Sequence, residues 1–171
     1  GQTIREHREF MVVRCEQRLR PHAALDELGD GAVVAIPNDA TNAGRALNLL
    51  AANGLITLKE GVGYSVTLND ITANPKNLKI TELEAAQLVR SLEDTAISVI
   101  NGNYALEGGL APLEDALALE SGENNPYANI LVVKSRRESE NGLQILARLL
   151  TSPEVKQFIE EKYNGSVIPA Y

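Results

Sequence analysis

The stretch Ala32-Val33-Val34-Ala35-Ile36, stopped by Pro37, constrains this chain more than any other. A short, unbroken apolar run ended by proline reads as a strand buried on both faces, as in the interior of a parallel sheet, because a half-exposed strand would alternate. After the loop Pro37-Asn38-Asp39-Ala40-Thr41, apolar Ala43, Ala46, Leu47 and Leu50 fall at i, i+3, i+4 and i+7, and Gly54 closes the pattern. A buried strand feeding an amphipathic helix through a short polar loop is the repeating piece of an α/β fold.

The same reading places a strand around Leu78 to Leu83, a helix over Ala85, Leu88, Val89 and Leu92, and a strand at Ala96 to Ile100. The loop Asn101-Gly102-Asn103-Tyr104 follows, then a short helix, then strands near Ala116 to Leu119 and Ile130 to Val133. Two helices close the chain. The first carries Leu143, Leu146, Ala147 and Leu150 on one face; the second has Ser152 as N-cap, Pro153 in its first position, and a stop near Gly165. Upstream, Leu25-Asp26-Glu27-Leu28 reads as a short helical turn. Ile4, Met11, Cys15 and Leu19 form a loose helical stripe, so the opening segment is expected to be either a helix or an unstructured arm. The pattern as a whole predicts an α/β fold with a mainly parallel sheet.

Composition removes several function classes. Cys15 is the only cysteine among 171 residues, so no intramolecular disulfide forms, and no Cys and His set has the spacing of a zinc site. No metal or cofactor is expected. The formal charge of -7 argues against nucleic acid as a partner, because phosphate neutralisation needs a concentrated basic face. No apolar run approaches the roughly 20 residues that span a bilayer. The opening segment GQTIREHREFMVVRCEQRLR is arginine-rich and lacks both a continuous apolar core and the small residues of a lipoprotein cleavage site, so no export signal is expected within these residues.

Ligands of open α/β sheets collect outside the carboxyl ends of the strands, which directs attention to the loops after Ile36 and Ile100. The first loop runs into a helix whose free N–H groups and positive dipole end favour an anion, with Arg45 in the opening turns. A guanidinium fork there can grip a carboxylate through two parallel hydrogen bonds; the plainer alternative is a surface arginine paired with a nearby acid. Asn101 ends its strand where a side-chain amide can serve an ammonium or a carboxylate, although Asn-Gly is also a common turn dipeptide. Asn129 stands at a strand start, where its plainer role is to satisfy backbone groups. Enzymatic machinery is missing: both histidines, His7 and His22, lie in the atypical opening, and no nucleophile elbow or phosphate loop is present. Gly61-Val62-Gly63 reads as a turn, and Glu82, Glu84, Glu93 and Asp94 as solvated.

The segments VAIPNDATNAGRALNLL, DITANPKNLKITELEAAQLVRSLED, VINGNYALEGGL and NPYANILVV, with the ending SPEVKQFIEEKYNGSVIPAY, closely resemble the NlpA-type methionine-binding lipoproteins of bacterial ABC importers. The resemblance runs from about Leu25 to Tyr171, in the family's order. It implies a type II periplasmic-binding-protein-like fold, an envelope location with a lipid anchor, no catalysis, and delivery of methionine or a related amino acid or dipeptide to an ABC permease. On the matching positions, Arg45 would hold the ligand carboxylate while Asn101 and Asn129 bind its polar groups. Residues 24–126 would form a complete α/β lobe and 127–171 would return to a partial first lobe, with 1–23 an atypical N-terminal segment that does not match the family's opening. Apolar faces of a partial lobe would favour self-association. The competing expectation is a truncated paralogue that keeps the fold but serves as an interaction protein.

Overall fold

The structure is a computed structural model that describes residues 4–5, 7–9, 11–15, 25–120, 127 and 130–169. The chain divides into two compact units, one of residues Met11–Glu120 and the other of Gly1–Phe10 with Ser121–Tyr171. Its first elements are β1 (Ile4–Arg5), β2 (His7–Glu9) and β3 (Met11–Cys15). A single 3-10 turn at Leu25–Glu27 leads into β4 (Val33–Pro37) and α1 (Ala40–Ala52). A short hairpin of β5 (Thr57–Leu58) and β6 (Ile71–Ala73) precedes β7 (Lys79–Leu83), α2 (Leu88–Ser91) and β8 (Ile97–Asn101). Then come α3 (Gly102–Glu107), α4 (Pro112–Asp115) and β9 (Ala118–Leu119). The last elements are β10 (Ile130–Leu131), α5 (Asn141–Leu150), α6 (Pro153–Tyr163) and β11 (Val167–Pro169).

The larger unit is built on a five-stranded sheet in the order β7-β4-β8-β3-β9. β4 pairs in parallel with both β7 and β8, while β3 is antiparallel to β8 and to β9. Four strands therefore run one way and β3 alone runs against them, which makes the sheet mainly parallel. The run that ends at Pro37 lies between two neighbours, and Val34, Ala35 and Ile36 are fully buried. Alternation along the strands sends their side chains to two separate cores. Val34, Ile36, Ile97 and Val99 pack with Ala43, Ala46, Leu47 and Leu50 of α1; Ala35 and Ile100 pack with Leu88, Leu92 and Ala105 on the opposite face. Both faces are covered, so every strand residue in the centre can be apolar.

The motif Asn74-Pro75-Lys76-Asn77 has a structural task. Asn74 closes on Leu78, its Oδ1 accepting from the Leu78 N–H at 2.9 Å and its Nδ2 donating to the Leu78 carbonyl at 3.0 Å. The Lys76 ammonium donates to the carbonyls of Asp26 and Leu28, tying the turn before β4 to the entry of β7. Buried Thr95 and Ser98 share a hydroxyl network with Ser91, satisfying polar atoms beneath β8.

The opening segment is not the helix that its stripe suggested: residues 11–15 are a strand inside the larger unit's sheet, and residues 4–5 and 7–9 are strands of the smaller unit. Consecutive Val12-Val13 are β-branched and favour a pleated surface, and pairing with β8 and β9 decides the outcome over local periodicity. The loop expected at Asn101-Gly102-Asn103-Tyr104 is also shorter than read, since α3 begins at Gly102.

In the smaller unit, β1 pairs with β10 and β2 with β11, both antiparallel. Ser152 caps α6, its Oγ accepting from the Val155 N–H at 3.3 Å, and Pro153 follows in the first turn. Asn164 ends the helix in the left-handed conformation at φ 44°. α5 is amphipathic but buries none of its residues; Ile145, Leu146 and Leu149 are exposed. No helix among the described residues is long and apolar enough to cross a membrane.

Candidate functional site

β4 is the point where the chain's winding reverses, because the connection through α1 leads to β7 on one side and the connection through α2 returns to β8 on the other. Crevices form outside the carboxyl ends of strands at such a point. Three polar side chains reach this edge from three elements. Asn101 is the last residue of β8, Glu120 follows the end of β9, and Arg45 lies in the second turn of α1. Strand parity puts Asn101 and Glu120 on the face that α1 covers: Asn101 has the alternation of Ile97 and Val99, Glu120 that of Ala118, and these three reference residues pack on the α1 side.

Arg45 is buried at 9% exposure and does not stand as a surface arginine. Its Nε donates to Glu120 Oε1 at 3.2 Å and its Nη2 to Glu120 Oε2 at 2.5 Å, a two-pronged fork on a carboxylate that is itself only 16% exposed. The pairing with an acid agrees with the plainer expectation, but the arginine is buried and its partner lies 75 residues away in sequence. Nη1 donates to Asn42 Oδ1 at 3.1 Å, and Asn42 Nδ2 donates in turn to Asp39 Oδ1 and Oδ2 at 3.2 and 3.0 Å. Asp39, Asn42 and Arg45 repeat every three residues along one helix face, which permits this relay. It fixes the Asn42 amide: the oxygen must face the guanidinium and the nitrogen the carboxylate.

The helix N-terminus is capped from within the chain. Asp39 is the N-cap, and its Oδ1 accepts from the Asn42 N–H at 3.0 Å, so the protein's own carboxylate takes the positive end of the dipole. Arg45 adds a guanidinium donor to the same edge.

Asn101 caps no helix with its side chain, although it occupies the N-cap position of α3. Its Oδ1 is buried and finds no hydrogen-bond partner among the described residues. An acceptor removed from water without a donor costs roughly 1–3 kcal/mol, so its persistence at the carboxyl end of β8 marks a place where a donor belongs. Asn129 lies outside the described residues. No group of three or more His, Cys, Asp or Glu is placed to hold a metal ion among the described residues. Gly61 and Gly63 have positive φ, as a turn requires, and Glu82, Glu84, Glu93 and Asp94 are exposed.

The sheet is wound about a reversal point and carries at its carboxyl edge a buried arginine fork and an amide oxygen without a partner among the described residues, a pattern of the open α/β class in which such edges hold ligands. The chain belongs to the NlpA lipoprotein family, whose model matches residues 20–171. It is 44% identical over 150 residues to the D-methionine-binding lipoprotein MetQ of Escherichia coli (strain K12), a match that takes in 86% of this chain and 55% of that protein. The chain thus spans just over half the length of the curated relatives it matches. Among solved structures, it is similar to a nutrient-binding protein from Burkholderia cenocepacia bound to methionine, with a TM-score of 0.87 and 39% identity over 99% of this chain and 70% of that one. It is also similar to an ABC transporter periplasmic substrate-binding protein from Coxiella burnetii, with a TM-score of 0.84 and 40% identity, covering 99% of this chain and 68% of the other.

Proposed function

We propose that this chain is the ligand-binding part of an envelope lipoprotein that captures methionine, or a closely related amino acid or dipeptide, and hands it to an ABC permease. The observation that carries this reading is the buried Arg45 fork on the same face and edge as the unpartnered Asn101 Oδ1. A guanidinium shielded from water grips a carboxylate far more strongly than an exposed one, and a lone amide oxygen accepts from an ammonium or peptide N–H. The methionine-bound Burkholderia structure and the E. coli MetQ sequence support the choice of ligand, and the Coxiella structure supports the transporter role. The family model and the MetQ relative are described by lipoprotein and binding roles, which supports a carrier in preference to an enzyme.

The test is isothermal titration calorimetry of L-methionine, D-methionine and glycyl-methionine into unfolded and refolded protein, which strips carried ligand. Saturable binding is expected for at least one of them. Arg45→Ala should weaken it by about 2–5 kcal/mol, the range for removing one partner of a buried charge pair. Asn101→Ala, which leaves no charge unpaired, should weaken it by about 1–2 kcal/mol. Absence of saturable heat with all three ligands, in protein that melts cooperatively, would refute the carrier role and favour an interaction protein on a retained fold.

A further inference from the structure

The Arg45 fork already holds a carboxylate, and this has a consequence for which ligands the site accepts. The guanidinium and Glu120 form a neutral pair, both largely withdrawn from water. A ligand that is only an anion would turn this into a buried group of net charge -1, either by adding to the pair or by driving the Glu120 carboxylate off its partner. A buried charge without a counter-charge is strongly unfavourable. A zwitterion adds no net charge, and it carries a donor-rich ammonium next to its carboxylate.

Two acceptors stand ready for that ammonium. Glu120 uses two hydrogen bonds, both to Arg45, of about four that a carboxylate can accept. Asn101 Oδ1 is buried without a donor among the described residues. β8 and β9 flank β3 on its two sides, so the residues that end them are separated by two strand spacings, roughly 10 Å of sheet edge, and share the α1 face. Both side chains extend from that face at its carboxyl edge.

We infer that Glu120 is the residue that selects for a free α-ammonium. On binding, the ligand carboxylate takes up Arg45 and the ligand ammonium takes up Glu120 and Asn101 Oδ1, so one internal ion pair is exchanged for two with the ligand and the ligand adds no net charge to the site. This rests on the amino-acid-binding reading above and assigns a specificity role to a side chain outside the set expected from the sequence.

The test compares L-methionine with its desamino analogue, which keeps the carboxylate and thioether and lacks only the ammonium. The wild-type protein should bind L-methionine at least about thirty-fold more tightly, the lower range for a desolvated charge pair. Glu120→Gln should weaken L-methionine by a similar factor while strengthening the desamino analogue, because the carboxylate that competes for the Arg45 fork is gone, so that the ratio falls to within about threefold. Glu120→Asp, which keeps the charge, should retain the discrimination. If the wild-type protein binds both ligands within threefold, the inference is overturned whether or not the variants fold. It is equally overturned if Glu120→Gln weakens both ligands by the same factor, the behaviour of a residue that merely positions Arg45. If L-methionine gives no saturable heat with the wild-type protein, this inference is overturned, while the carrier role falls only if D-methionine and glycyl-methionine give none either; loss of discrimination alone leaves the carrier role standing.

Discussion

Gly44→Ala isolates the packing that seats the arginine-bearing helix. Gly44 precedes Arg45 in α1, and a Cβ there would lie 2.5 Å from the Tyr64 carbonyl oxygen and 3.3 Å from that of Val66. The obstruction is backbone, so no side chain can swing aside. The segment is also tethered: Val66 is buried in the core against α1, and Asn48 Nδ2 donates to the carbonyls of both Gly44 and Gly63. Helix propensity alone would make alanine better by about 1 kcal/mol. Overpacking of this kind costs about 1–3 kcal/mol, and a sub-3 Å contact with a fixed carbonyl belongs at or beyond the upper end. The expected net result is a loss of about 1–2 kcal/mol, or roughly 3–6 °C in Tm. Differential scanning calorimetry of Gly44→Ala beside Gly142→Ala supplies its own control, because Gly142 is also helical and nothing lies within 4 Å of its would-be Cβ. Gly142→Ala should raise the stability of its unit slightly. A Gly44→Ala protein that melts at or above the wild-type temperature would refute the reasoning, since propensity would then outweigh the contact.

Removing the α6 cap by Ser152→Ala should cost about 1 kcal/mol, measured by urea denaturation, because the Val155 N–H loses its acceptor; an unchanged midpoint would mean that water replaces the hydroxyl without loss. Asp70 gives a pH-dependent term. Hydrogen bonds from the Thr67 N–H and then its hydroxyl hold the Asp70 carboxyl below the usual aspartate range, so its contribution is present above the unfolded-state pKa and lost as pH falls through the lower folded value. The Tm difference between wild type and Asp70→Ala should accordingly shrink as the pH is taken from neutral to below the carboxylate range, and a difference independent of pH would contradict the capping role.

What could be read from the sequence was what local chemistry determines. The buried run before Pro37 and the 3.6-residue stripe after it needed no tertiary information, nor did the Ser152-Pro153 helix start, and each formed where the pattern put it. β3 was illegible because its apolar residues fit a helical stripe as well as a strand, and the choice is made by β8 and β9, which lie far along the chain. Glu120 was missed for the same reason. Nothing local distinguishes it from other acids of this negatively charged chain, and only the sheet's winding brings it to Arg45. The capping of α1 by Asp39 was legible locally, since an Asp directly before an amphipathic helical stripe is a favoured N-cap.

The reversed strand β3 also bears on how the larger unit comes together in time. Met11 pairs with Asn101 across about ninety residues of chain, a separation at which loop closure is entropically costly but grows only slowly with further length. β4, β7 and β8 can assemble from neighbouring segments through α1 and α2, whereas β9 has no ladder partner until β3 slots between it and β8. Non-local pairing of this kind slows folding. The carboxyl edge that carries Asn101 and Glu120 would then be completed last, so that the proposed site and the closure of the sheet form together, late in folding.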